Sequence, residues 1–111
     1  MPAIPRTYSR ATMDALKLLG AQIRLARKQR LMSETDLAAR IGISRGTMQS
    51  IEKGSAKVEI GLAFEAAVLV GVPLFLPDSA GIAAVIERVE DKLALLPQSV
   101  RRPLSGVKDD F

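Results

Sequence analysis

The amino-acid sequence predicts an all-α fold of five short helices, and three observations predict it. The 111 residues draw their apolar content from Leu, Ile, Val, Ala and Met. Only Tyr8, Phe64, Phe75 and Phe111 are aromatic, which suits small packed helices better than a sheet. Apolar side chains recur at three- and four-residue spacing in successive segments. Between Ser33 and Gly54, serines able to cap helix starts alternate with glycines able to end helices. The length fits one domain, read here as residues 12–96 with a flexible arm (1–11) and a flexible tail (97–111).

The arm, MPAIPRTYSR and one residue more, holds two prolines and little to bury. Thr12 can cap a first helix with Asp14 in its first turn. In MDALKLLGAQIRLARKQR, residues Leu16, Leu19, Ile23 and Ala26 share the inner face, and Arg24, Arg27, Lys28 and Arg30 line the polar side. Gly20 costs about 1 kcal/mol against Ala inside a helix. It marks either close packing or the true start of the compact helix.

Ser33, followed three residues later by Asp36, opens a second helix in the manner of a capping box. That helix runs to Arg40 and ends at Gly42. Ser44 caps a third helix, RGTMQSIEK, which Gly54 ends in the same way. On two helices joined by a tight turn, Leu37, Ala38 and Ile41 before Gly42 and Ile43, Met48 and Ile51 after it all face inward. Arg45, Gly46, Thr47, Gln49, Ser50 and Lys53 are left outward. SAKVEIG is a loop with Lys57 as its exposed cation.

A fourth helix, GLAFEAAVLVG, has Leu62, Ala66, Leu69 and Val70 as its inner face. Gly71, Pro73 and Pro77 break the chain, and Asp78 or Ser79 opens a fifth helix. Ile82, Val85 or Ile86, Val89, Leu93 and Leu96 form one stripe on it. Glu87, Arg88, Glu90, Asp91 and Lys92 fill the other face, and Pro97 ends the helix.

Composition then narrows the function. There is no His and no Cys, which removes the usual general base, the thiolate and the commonest metal ligands. Asp109 and Asp110 adjoin on a tail with no fixed separation, and nothing resembles a phosphate loop or a metal cluster. These features weigh against an enzyme, and no cofactor or metal is expected. The longest apolar run, eleven residues from Ala66, contains Pro73 and is too short to cross a bilayer. No signal-peptide pattern opens the chain. A cytoplasmic setting without a membrane partner is the expectation.

Net charge is +4 and unevenly spread: residues 1–32 carry seven basic and one acidic side chain, 33–60 four of each, and 61–111 five and seven. A basic front half points to phosphate. With the pattern of residues 33–54, it predicts a DNA-reading helix-turn-helix, whose second helix lies in the major groove. The residues expected on DNA are Ser44, Arg45, Gly46, Thr47, Gln49, Ser50, Lys53 and Lys57. Arg45 can present two donors to a guanine O6/N7 edge. Gly46 permits close backbone approach, and Lys53 and Lys57 can hold phosphate.

Residues 16–74 resemble the Cro/cI-type (XRE) helix-turn-helix family through the segments IRLARK, L-A-x-x-I-G-I-S and S-I-E-K-G. The resemblance implies a five-helix lambda-repressor-like DNA-binding domain, a homodimer and a two-fold symmetric double-stranded operator. It also implies pairing of Arg27 with Glu52. One departure is Glu34, where many members start the second helix with a Gln that helps hold a phosphate; an anion works against that contact. The tail LPQSVRRPLSGVKDDF is similar to antitoxins of the HipB type, encoded beside HipA-like kinase toxins. That narrower resemblance implies repression of its own operon and a HipA-like kinase as partner, with Phe111 as a candidate anchor. The alternative is a stand-alone XRE-family regulator without a toxin partner, its fifth helix forming the dimer face through Leu93 and Leu96.

Overall fold

The computed structural model describes residues 7–75 and 81–99, and its first helix starts earlier than the sequence predicts. Helix α1 spans Arg10–Gln29, capped by Ser9 rather than Thr12. Ser9 has extended backbone, and its Oγ accepts the Thr12 amide at 3.2 Å while lying 3.1 Å from the Thr12 hydroxyl. Thr12 therefore sits at the third helical position, answering the cap instead of supplying it. Arg10 and Ala11, assigned above to the arm, are helical; residues 1–6 lie outside the described residues.

Ile23 is fully buried on α1, with Leu19 and Ala26 packed half-buried beside it. Gly20 resolves as a packing residue. A Cβ there would lie 2.5 Å from the Ile51 carbonyl oxygen and 2.6 Å from that of Glu52. The absence of a side chain is what lets α1 and the end of the third helix touch backbone to backbone.

Helix α2 (Glu34–Ile41) begins as the sequence predicts: Ser33 Oγ accepts the Asp36 amide at 3.0 Å, and Gly42 ends the helix at φ +86°. Helix α3 (Arg45–Glu52) repeats the device, with Ser44 Oγ accepting the Thr47 amide at 3.0 Å. Leu37, Ala38, Met48 and Ile51 are buried, and Ile41 and Ile43 pack half-buried against them. All six face inward. Gly54, at φ +80°, follows α3 so close to the Lys17 backbone that a Cβ would sit 2.8 Å from it.

Helix α4 (Ile60–Leu69) packs against α1 and α2. Its inner face differs from the sequence reading. Ala66, Ala67 and Val70 are buried, whereas Leu69 is 37% exposed. Small residues at the contact bring α4 close to its neighbours, which turns the bulkier Leu69 outward. The core so closed is Ile23, Leu37, Ala38, Met48, Ile51, Ala66, Ala67, Val70 and Val72. Phe64 and Phe75 meet edge to face with ring centroids 6.0 Å apart.

These four helices belong to one unit, residues 1–76; residues 77–111 form a second. In the second, α5 spans Gly81–Ala94; Asp78 and Ser79, the expected helix starts, lie outside the described residues. The apolar stripe is present on α5, yet none of its residues is buried. Ile82, Ile86, Val89 and Leu93, with Leu96 just beyond the helix, are all exposed.

Candidate nucleic-acid interface

The reading helix is built from its buried side outward. Met48, Ile51 and Glu52 anchor α3, which leaves positions 45, 46, 49, 50 and 53 on the opposite arc at 3.6 residues per turn. Arg45, Gly46 and Lys53 are exposed, and Gln49 and Ser50 half-buried. Thr47 lies at the flank, half-buried, its hydroxyl 3.0 Å from Ser44 Oγ. A Cβ on Gly46 would meet only Ser44 Oγ, at 3.8 Å, so nothing inside the described residues requires glycine there. The first turn of α3 holds no acid, and its free backbone N–H groups and Arg45 give this end a positive potential. Lys57 is exposed in the following loop, its amide donating to Ser55 Oγ at 3.1 Å. Phe111 lies outside the described residues.

Behind the reading helix stands a buried ion pair. Arg27 Nε and Nη2 donate to Glu52 Oε2 and Oε1 at 2.6 and 2.9 Å, and Arg27 Nη1 donates to the Met32 carbonyl at 2.8 Å. The side chains are 7% and 3% exposed. Arg27 was expected on the polar side of α1 and, from the family resemblance, opposite Glu52; the pairing holds, and it buries the side chain away from the exposed residues of that side. The hydrogen bonds to Glu52 raise the Arg27 pKa against the opposing effect of burial, so the cation is permanent. One guanidinium thus joins α1, the α1–α2 turn and the end of α3, fixing the angle at which α3 projects.

Around the start of α2 lies a recess of about 320 Å³, where Arg24, Arg27, Lys28 and Arg45 surround residues 33–35. Arg24 and Lys28, read from the sequence as part of the polar side of α1, are exposed and form a wall of this recess. Their four-residue spacing on α1 was the available signal, but only the fold places that stripe against the α2 N-terminus. Glu34 reaches into the same region. Its Oε1 accepts from Gln49 Nε2 at 3.3 Å and lies 3.6 Å from Arg45 Nε, and its Oε2 is 3.9 Å from Arg27 Nη2. Burial pushes the Glu34 carboxyl up, but the hydrogen bond from Gln49 and the charges of Arg27 and Arg45 outweigh it, leaving the pKa lowered.

A two-helix unit with an outward polar α3 on an apolar base, flanked by cations, is the geometry of a groove reader. Residues 23–76 match a family model described as helix-turn-helix.

These residues are a helix-turn-helix domain.

The match runs from within α1 through α4 and covers just under half of the chain. It supports the Cro/cI-type (XRE) assignment, a family of DNA-binding transcriptional regulators. Comparison with curated proteins and with solved structures gave no match. Among the described residues, no cluster of His, Cys, Asp and Glu is arranged to hold a metal, and no helix is long and apolar enough to cross a membrane.

Proposed function

We propose that this helix-turn-helix protein is a sequence-specific repressor that reads double-stranded operator DNA as a homodimer. The observation that carries the reading is the exposed guanidinium of Arg45 at the positive end of α3, rigidly backed by the Arg27–Glu52 pair. Ser44, Gly46, Thr47, Gln49 and Ser50 line the approach to base edges, and Lys53 and Lys57 flank it as phosphate contacts. Binding of a selected duplex should weaken steeply with salt and survive non-specific competitor. Arg45→Ala should cost about 1–3 kcal/mol and relax preference at one base position. If sequence preference survives that substitution intact, α3 is not reading through Arg45.

The homodimer rests on α5. Ile82, Ile86, Val89, Leu93 and Leu96 follow one another at spacings of four, three, four and three, the rhythm of a helix–helix seam, and all are exposed. A second copy would cover that stripe.

The sequence of the tail supports a finer role, that of an antitoxin which represses its own operon and binds a HipA-like kinase, with Phe111 as anchor. Deletion of residues 107–111 tests it. Loss of kinase binding with DNA binding intact is the expected outcome, and unchanged binding and rescue would favour a stand-alone regulator.

A further inference from the structure

Glu34 is a negative charge placed where a DNA reader gains from positive ones, and its contacts run toward the reading helix. Arg45 and Gln49 stand four residues apart on α3, so both project from one face of it. A single carboxylate oxygen of Glu34, from α2, serves both: 3.3 Å to Gln49 Nε2 and 3.6 Å to Arg45 Nε. The other oxygen faces Arg27, 3.9 Å away, which ties the carboxylate to the buried pair. Glu34 is 21% exposed, while Arg45 is 64% exposed and has few other restraints on its long side chain.

An acid in the first turn of a helix commonly serves only the helix dipole. Asp36, exposed and on the same turn, already meets that need. Glu34 instead spans to α3. Two consequences follow for a protein held on DNA largely by phosphate. A carboxylate beside the cationic recess subtracts from sequence-independent attraction. A carboxylate that orients a guanidinium and an amide before docking strengthens the contacts that distinguish bases.

We propose that Glu34 is a positioning residue for base readout: it orients Arg45 and Gln49 on α3 and lowers sequence-independent affinity, so that specificity gains at the expense of total affinity. The inference rests on α3 being the reading helix.

The test uses the full chain. A preferred duplex is first selected from a randomised pool with the wild-type protein. Wild type, Glu34→Gln, Arg45→Ala and the double variant are then titrated against that duplex and against a random-sequence duplex over a salt series. Any inactive fraction cancels in the ratio of the two affinities. For Glu34→Gln, binding to the random duplex should tighten several-fold with a salt slope steeper by up to about one. The preferred-to-random ratio should fall about tenfold, within the range of about 5–150-fold that one bidentate base contact supplies. In the Arg45→Ala background the same change should move the ratio by less than about twofold, because its main target is gone. Equal tightening on both duplexes, or an undiminished ratio change without Arg45, would overturn the inference and leave Glu34 a simple charge. A wild type that selects no preferred sequence would sink the α3 reading and this inference with it. A selected duplex that Arg45→Ala binds poorly, but that Glu34→Gln distinguishes as well as wild type, overturns this inference alone.

Discussion

Removing Glu52 is the perturbation most informative about why α3 projects as it does. In Glu52→Ala the Arg27 guanidinium stays buried and loses two short charge-assisted hydrogen bonds, those at 2.6 and 2.9 Å. The Met32 carbonyl remains at 2.8 Å, and Glu34 offers partial compensation from 3.9 Å. Breaking one side of a buried pair costs about 3–5 kcal/mol, and the Glu34 charge places this case near about 3. A loss of about 3 kcal/mol is roughly a 150-fold fall in the folded-to-unfolded ratio, a large share of what a small domain possesses. The reverse single change, Arg27→Met, should destabilise comparably, since it strands the Glu52 carboxylate. The double variant Arg27→Met/Glu52→Leu should return to within about 1 kcal/mol of wild type, because packed apolar groups of similar size often replace a buried pair without loss. Urea titration followed by far-UV circular dichroism reads these values, the helices providing the signal in a chain without Trp. The reasoning fails if Glu52→Ala costs less than about 1 kcal/mol, or if the double variant loses the sum of the single losses. A stable double variant with weakened DNA binding would show that the pair's value lies in orientation rather than stability.

Three further outcomes follow from local geometry. Gly20→Ala should destabilise by about 1–2 kcal/mol despite its better helix propensity, since a Cβ 2.5 Å from the Ile51 carbonyl must force α1 and α3 apart; a raised melting temperature would contradict that contact. Leu31 occupies the left-handed region at φ 56°, 94% exposed, just past the Arg30 cap of α1. Leu31→Gly should therefore stabilise by about 0.5–1 kcal/mol, the relief of strain exceeding the added freedom of the unfolded chain, and a destabilised variant in the same urea titration would refute this. Glu34 titrates below the ordinary glutamate range when folded, so its contribution is complete above an unfolded pKa of about 4.3 and is lost as pH falls through the lower folded value. The stability difference between wild type and Glu34→Gln should be open at neutral pH, stay below about 1 kcal/mol for a partly exposed pair, and close in acid; a gap that widens in acid has the wrong sign.

Local chemistry made much of this protein legible in its sequence. Ser33, Ser44, Gly42 and Gly54 mark helix ends because capping and left-handed backbone depend on a residue and its nearest neighbours. The inward set from Leu37 to Ile51 follows from helical period alone. Ser9 was missed at the start of α1 because a proline-bearing stretch masks a competent cap. What the sequence left open concerned distances between elements. Whether Gly20 marked packing or a helix start depended on the Ile51 and Glu52 carbonyls, which are 31 and 32 residues away in the chain. Leu69 and Ala67 exchanged roles because the approach of α4, not its periodicity, sets which side chain fits. The Arg27–Glu52 pairing was readable from family resemblance, but burial of that pair appears only once α1 and α3 are packed.

By itself, then, the sequence determined the caps and the turn of α2 and α3 and that α3 presents Arg45 outward. It did so because caps, period and turns are short-range. Only the tertiary structure decided what surrounds that arginine: a cationic recess from α1, and Glu34 from α2 bridging to Gln49. A charge's meaning depends on its neighbours in space. Glu34 looked like a misfit at a phosphate contact until α2 and α3 were set beside each other.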